Sequence, residues 1–150
     1  MKHIHKWIYS LISNLDENVD EKTKILVLEN CGRVCITESF KQRAQQAKKE
    51  AKNTTGFLDK LSKVWGHLKI KGKDIYLEYP RCYCPIVSSY PGKPLKSWSN
   101  HSWKLPKSWC TCSRGWIKEL FESPLEKPVK VTLEKSIKQD DKVCRFKIYL

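Results

Sequence analysis

The sequence predicts an α+β domain, with N-terminal helices packed on an antiparallel sheet of about five strands and one helix between strands 3 and 4. Three observations lead there. Apolar residues recur at helical spacing through residues 1–67. From Leu68 onward they alternate with polar ones, which is the period of a half-buried strand. The alternating stretches are separated mostly by short turns, which antiparallel neighbours allow and parallel ones do not. A chain of 150 residues is read as a single domain, with 1–67 its helical part and 68–150 its sheet part with one helix.

The elements follow in order. Ile4, Trp7, Ile8, Leu11, Ile12 and Leu15 mark an amphipathic helix over 3–15. Asp20 is placed to cap a second helix bearing Ile25, Leu28, Cys31 and Cys35, although Gly32 weakens it. Residues 39–52 are strong helix formers with few apolar groups, so this helix is largely exposed. Thr54 or Thr55 caps a fourth helix, whose buried stripe is Phe57, Leu58, Leu61, Val64, Trp65 and Leu68. Leu68 and Ile70, then a Lys-Gly-Lys-Asp turn, then Ile75, Leu77 and Tyr79 form a hairpin. Residues 81–87 are expected as a third strand, with Pro85 marking an edge or a strand end because it cannot donate to a ladder. Residues 88–108 form a long Pro-containing loop. Ser113 caps a helix that Pro124 ends. Val129, Val131 and Leu133 pair with Val143, Phe146 and Ile148 in a C-terminal hairpin.

The net charge is +13, from 29 basic and 16 acidic residues. Such an excess favours an anionic partner. It concentrates in residues 41–73 and in residues 81–118, the latter without one acidic group. The acid-free block also holds Trp98, Trp103, Trp109 and Trp116, and Cys82, Cys84, Cys110 and Cys112. There is no apolar run long enough to span a bilayer, and no secretory leader is recognisable. A cytoplasmic location is expected, in which cysteines are thiols, metal ligands or redox groups.

The seven cysteines fall as Cys31-x₃-Cys35, Cys82-x-Cys84, Cys110-x-Cys112 and Cys144. The two C-x-C pairs could close a tetrahedral thiolate site, or be small core residues. Basic neighbours and the helix start at Ser113 are expected to lower the thiol pKa of Cys110 and Cys112. His101, beside Trp98 and Trp103, is the histidine placed near a site. His3 and His5 point apart on a helix, His67 reads as structural, and Glu119 and Glu122 read as solvated.

Residues 110–148 carry Cys110-x-Cys112-Ser113-x-Gly115-Trp116, then Pro128-Val129-x-Val131, Glu134-x-Ser136 and Asp140-Asp141-x-x-Cys144-x-Phe146. This pattern resembles the bacterial 4-vinyl-reductase-like small-molecule-binding domains. It is also similar to the ending of the L-2-amino-thiazoline-4-carboxylic acid hydrolase family. The resemblance implies an antiparallel sheet backed by helices, with zinc held by cysteines and an acidic residue beside an aromatic pocket. By position the ligands would be Cys110 or Cys112, Glu134 and Cys144. Ser136 stands where that family has a further cysteine, and Cys82 or Cys84 would replace it. Cys31-Gly32-Arg33 and Cys82-Tyr83-Cys84-Pro85 resemble uncharacterised bacterial proteins.

The leading expectation is a small-molecule-binding or sensor domain with a cysteine-based zinc site. Tyr83, Trp98, His101, Trp103, Trp109 and Trp116 would line its pocket, and Arg114 or Lys107 would anchor an anionic group of an aromatic or anionic ligand. A small hydrolase of the thiazoline-carboxylate type, with a Cys nucleophile or a metal-bound water, is the second reading. It lacks a clear general base, and whether the chain is an enzyme stays open. A basic nucleic-acid-binding module is the third, supported by charge and interleaved aromatics but by no recognition motif. A homodimer is compatible with all three.

Overall fold

The computed structural model describes residues 2–84, 106–139 and 141–150. The helical half comprises α1 (Lys2–Asn18), α2 (Glu21–Arg33), α3 (Glu38–Lys49) and α4 (Thr54–Val64). A hairpin follows, β1 (Leu68–Lys71) and β2 (Asp74–Tyr79). A short 3₁₀ turn (Lys107–Cys110) leads directly into α5 (Thr111–Leu125). The chain ends in β3 (Lys130–Lys135), a second 3₁₀ turn (Ile137–Gln139) and β4 (Cys144–Tyr149). The class is α+β, as expected.

Local chemistry accounts for most boundaries. The Thr23 N–H donates to Asp20 Oδ1 at 3.0 Å, which caps α2. The cap of α4 is Asn53 rather than Thr54 or Thr55, with Gly56 N–H donating to Asn53 Oδ1 at 2.8 Å. Gly72 supplies the positive φ of 62° in the β1–β2 turn. Ser113 does not cap α5, because the helix already runs from Thr111. Pro124 sits inside the last turn of α5 instead of ending it. The helix ends at Glu126, which takes the left-handed conformation and donates its N–H to Glu122 O at 2.8 Å.

The described sheet has four strands in the order β1-β2-β4-β3, every pair antiparallel. The expected third strand over 81–87 is not formed at residues 81–84, and 85–87 lie outside the described residues. The helix between strands therefore lies between β2 and β3. The C-terminal strand is inserted at the centre, pairing Ile75 with Ile148 and Leu77 with Phe146 on one side, and Val131 with Ile148 on the other.

One face of this sheet carries Leu68, Leu77, Val131, Phe146 and Ile148 into the main core. Phe57 and Leu61 of α4 and Ile117, Leu120 and Phe121 of α5 fill it from the helical side, each at most 2% exposed. The two phenylalanines meet edge to face, 6.2 Å between centroids. A second, smaller core joins Ile12, Leu28 and Trp109. Ile4, Trp7 and Leu11 on α1 remain exposed. No helix among the described residues is long and apolar enough to cross a membrane.

Candidate functional site

The end of the sheet where β4 begins holds Cys144 and, through Ser136, reaches Cys110. Cys144 opens β4 directly opposite Tyr79, the last residue of β2. The β3–β4 turn folds back so that Ile137 N–H donates to Cys144 Sγ at 3.5 Å. Ser136, with no exposed surface, precedes that turn. Its hydroxyl lies 3.3 Å from Cys110 Sγ and accepts the Lys138 N–H at 3.1 Å. The Asp141 carboxylate accepts the Ser136 N–H at 2.8 Å and fixes the turn. Cys110 arrives from the 3₁₀ turn before α5, and Cys84 and Cys110 both pack against the Ile12, Leu28 and Trp109 cluster. Cys82 and Cys84 arrive from the segment after β2.

Lys138 is the centre of this group. Its Nζ is shielded from water. Burial pushes the ammonium pKa down, opposed by the electrostatic influence of Cys82, Cys84, Cys110 and Cys144. Cysteines from three separate chain segments thus lie within electrostatic range of one cation. Cys112 adjoins them, within electrostatic range of Cys84, Cys110 and Cys35. All seven cysteines are free thiols. Among the described residues, no three His, Cys, Asp or Glu side chains already converge closely enough to hold a metal ion.

The thiol acidities run opposite to expectation. Burial pushes Cys110 up to about 11, against its hydrogen bond with Ser136. Burial pushes Cys112 up to about 12. Cys144 is also raised by burial, against the Ile137 N–H. The expectation of lowered pKa values for Cys110 and Cys112 fails because desolvation outweighs distant surface cations. At neutral pH these groups are protonated thiols.

An aromatic array reaches from the core to the same edge. Trp65 and Trp116 meet at 5.0 Å between centroids, and Phe40 lies 5.5 Å from Trp116. Trp65 continues to Tyr79 at 6.1 Å, and Tyr79 to Tyr83 at 5.3 Å. His67 closes a triangle with both tyrosines at 5.0 and 5.4 Å. Tyr79 is held neutral, its pKa well above the ordinary value, by burial and then by Cys144 and Tyr83.

The sequence-predicted site residues therefore divide. Cys82, Cys84, Cys110 and Cys144 lie within electrostatic range of Lys138, with Cys112 in range of Cys84 and Cys110. Tyr83 and Trp116 belong to the aromatic array, whereas Trp109 belongs to the second core and is 4% exposed. Arg114 is not poised for a ligand: it pairs with Glu29 at 2.9 Å. Glu134 is exposed on β3, beside a register irregularity between Leu133 and Lys135, and stands outside the thiol group. Glu119 and Glu122 are not solvated carboxylates but partners of Arg33, at 3.1 and 2.6 Å. Trp98, His101 and Trp103 lie outside the described residues, as does the side chain of Lys107. Lys138, Ser136, Tyr79 and Trp65 were missed. Tyr79 and Trp65 read only as strand and helix residues, and Ser136 and Lys138 belong to the turn between the last two strands, which reads as solvent-facing although it folds inward.

A family model described as a family of unknown function matches residues 1–150. Neither the curated proteins nor the solved structures contain a match to the chain. The chain belongs, along its whole length, to the family of unknown function DUF6144.

Proposed function

We propose that the protein is a sensor domain that takes a thiophilic metal ion, zinc in the first instance, on Cys82, Cys84, Cys110 and Cys144. The observation that carries this reading is the β3–β4 turn that joins Cys110, through Ser136, to the segment whose Ile137 N–H meets Cys144, with Cys82 and Cys84 also within electrostatic range of its shielded Lys138 ammonium. Four thiolates around a divalent ion leave a surplus negative charge, and a buried cation beside them offsets it. The donor set is soft and free of carboxylates, which suits zinc over harder ions. Because the thiols are protonated at rest, metal entry releases protons and draws the donors together. The aromatic array at Tyr79, Tyr83 and His67 supplies an apolar wall for a small ligand beside the same centre. The resemblance of residues 110–148 to the vinyl-reductase-like domains favours the same site, with Cys82 or Cys84 in the place left by Ser136. Free thiols need a reducing compartment, and the cytoplasm is the location we assign.

A hydrolase using one of these thiols as a free nucleophile is the weaker reading. Thiols raised to about 11 and 12 hold almost no thiolate at neutral pH.

The test is elemental analysis of protein purified without added metal, with a reactive-thiol count on the same sample. Bound zinc near one per chain, with the four named thiols protected, is the expected result. Cys144→Ser and Cys84→Ser should each lower zinc retention against a competing chelator. Seven reactive thiols with no zinc retained after zinc is added back would overturn the reading.

A further inference from the structure

The outer face of the sheet gathers cations and tyrosines away from the thiols. Strand alternation turns Leu77, Phe146 and Ile148 onto the helices, so their neighbours face the other way. Pairing sets Lys69 beside Tyr76, and Tyr76 beside Lys147. Glu78 stands beside Arg145, and Arg145 beside Lys135. At the far edge Lys130 stands beside Tyr149. All of these are exposed or half-buried.

Charge on this face is net positive. Its carboxylates are Asp74 and Glu78, with Glu134 at the β3 bulge. Glu78 is held by Arg145 at 2.6 Å and Asp74 by Lys147 at 2.8 Å. Lys69, Lys71, Lys130 and Lys135 add positive charge around them. Lys69, Lys71, Tyr76, Glu78 and Arg145 line a groove of about 230 Å³. Cations and rings interleave: Lys147 Nζ lies 5.7 Å from the Tyr76 centroid and 5.4 Å from that of Tyr149. Lys130 Nζ lies 5.3 Å from the Tyr149 centroid.

We propose that this face binds single-stranded nucleic acid. Lys69 and Lys71 take backbone phosphates along the groove, and Tyr76 and Tyr149 offer stacking surfaces to splayed bases. Cations in register with aromatic rings on an open surface meet both demands of a flexible strand, phosphate neutralisation and sequence-tolerant stacking. A sheet surface suits unpaired bases better than a duplex, whose base faces are buried in its own stack.

The experiment is fluorescence anisotropy of labelled single-stranded RNA and DNA 12-mers, titrated with the full chain at several salt concentrations. Binding that weakens steeply with salt, with the same-sequence duplex at least tenfold weaker, is expected. Lys69→Ala/Lys71→Ala should lower affinity about tenfold and flatten the salt slope. Tyr76→Leu should lower it about fivefold or more, while Tyr76→Phe keeps it. Lys49→Ala/Lys52→Ala, at the exposed end of α3, is the control and should change little. Equal loss from the control, or equal affinity for duplex, would show charge attraction without a site and overturn the proposal. Complete competition by inorganic polyphosphate at matched charge, with no effect of Tyr76→Leu, would do the same. Circular dichroism confirms that each variant is folded.

Discussion

Gly115 of α5 lies against the backbone carbonyl of Glu29 in α2, and a Cβ at position 115 would overlap that carbonyl. Gly32 is placed reciprocally: a Cβ there would overlap the carbonyl of Cys112 and come within 3.1 Å of Trp116 N. The two helices thus cross backbone to backbone, with a glycine from each at the contact. The obstacles are main-chain atoms, which cannot rotate away. Gly115→Ala and Gly32→Ala should each destabilise the fold by about 3 kcal/mol, the upper range for overpacking. Thermal denaturation should show a midpoint lowered by roughly 10 °C. A change below about 2 °C in both variants would mean that the helices separate easily at this crossing.

The same crossing holds a charged triad. Glu29 is 5% exposed and pairs with Arg114 at 2.9 Å and with Lys118. Removing the carboxylate leaves two partly buried cations facing each other. Glu29→Gln should cost about 3–5 kcal/mol, the range for breaking a buried pair. Arg114→Gln should cost less, because Lys118 still neutralises Glu29. Urea denaturation measures both. If Arg114→Gln leaves stability unchanged, Arg114 is free for a ligand after all.

These contacts show what the sequence could reveal. The helices and hairpins are legible because their apolar periods are strong: Phe57, Leu58 and Leu61 on α4, and Ile75 and Leu77 against Phe146 and Ile148 in the sheet. Local rules alone misread Gly32. A glycine inside a helix looks like a weakness until the partner helix is known. Arg114 looked like a ligand anchor because its partner Glu29 is 85 residues away in the chain, beyond any periodic signal. Of the thiol group, the cysteines announced themselves by spacing. Lys138 did not, since a lysine in a polar turn normally faces water.

Raised thiol pKa values make stability pH-dependent on the alkaline side. Cys110 and Cys112 titrate near 11 and 12 in the folded chain and near an ordinary thiol value, about 8.5, when unfolded. The unfolded state therefore loses these protons first as pH rises. Their contribution to stability is intact below pH ~8.5 and is lost progressively up to pH ~12. The urea midpoint should fall from pH 8 to pH 10.5, and Cys112→Ala should reduce that fall. At pH 8, a thiol reagent should modify the exposed Cys31 and Cys35 quickly and Cys110, Cys112 and Cys144 slowly. Rapid modification of all seven would contradict the burial.

Ser136 is the position at which a lost thiolate of the proposed metal site can be replaced. Its hydroxyl sits 3.3 Å from Cys110 Sγ, with no exposure to solvent. A thiol there would stand beside Cys110 on the side from which the β3–β4 turn delivers Cys144. In a Cys84→Ser background, which leaves three of the four proposed thiols, Ser136→Cys should recover zinc affinity about tenfold or more in a chelator competition, because it returns the fourth thiolate. Ser136→Ala should leave zinc affinity within about threefold, because the hydroxyl is not among the proposed donors. It should nonetheless lower stability by about 1 kcal/mol, since the Lys138 N–H loses its acceptor. The two variants separate a metal role from a structural one. If neither moves zinc affinity while both lower stability, Ser136 is a structural clasp for the turn, and the metal site does not extend to it.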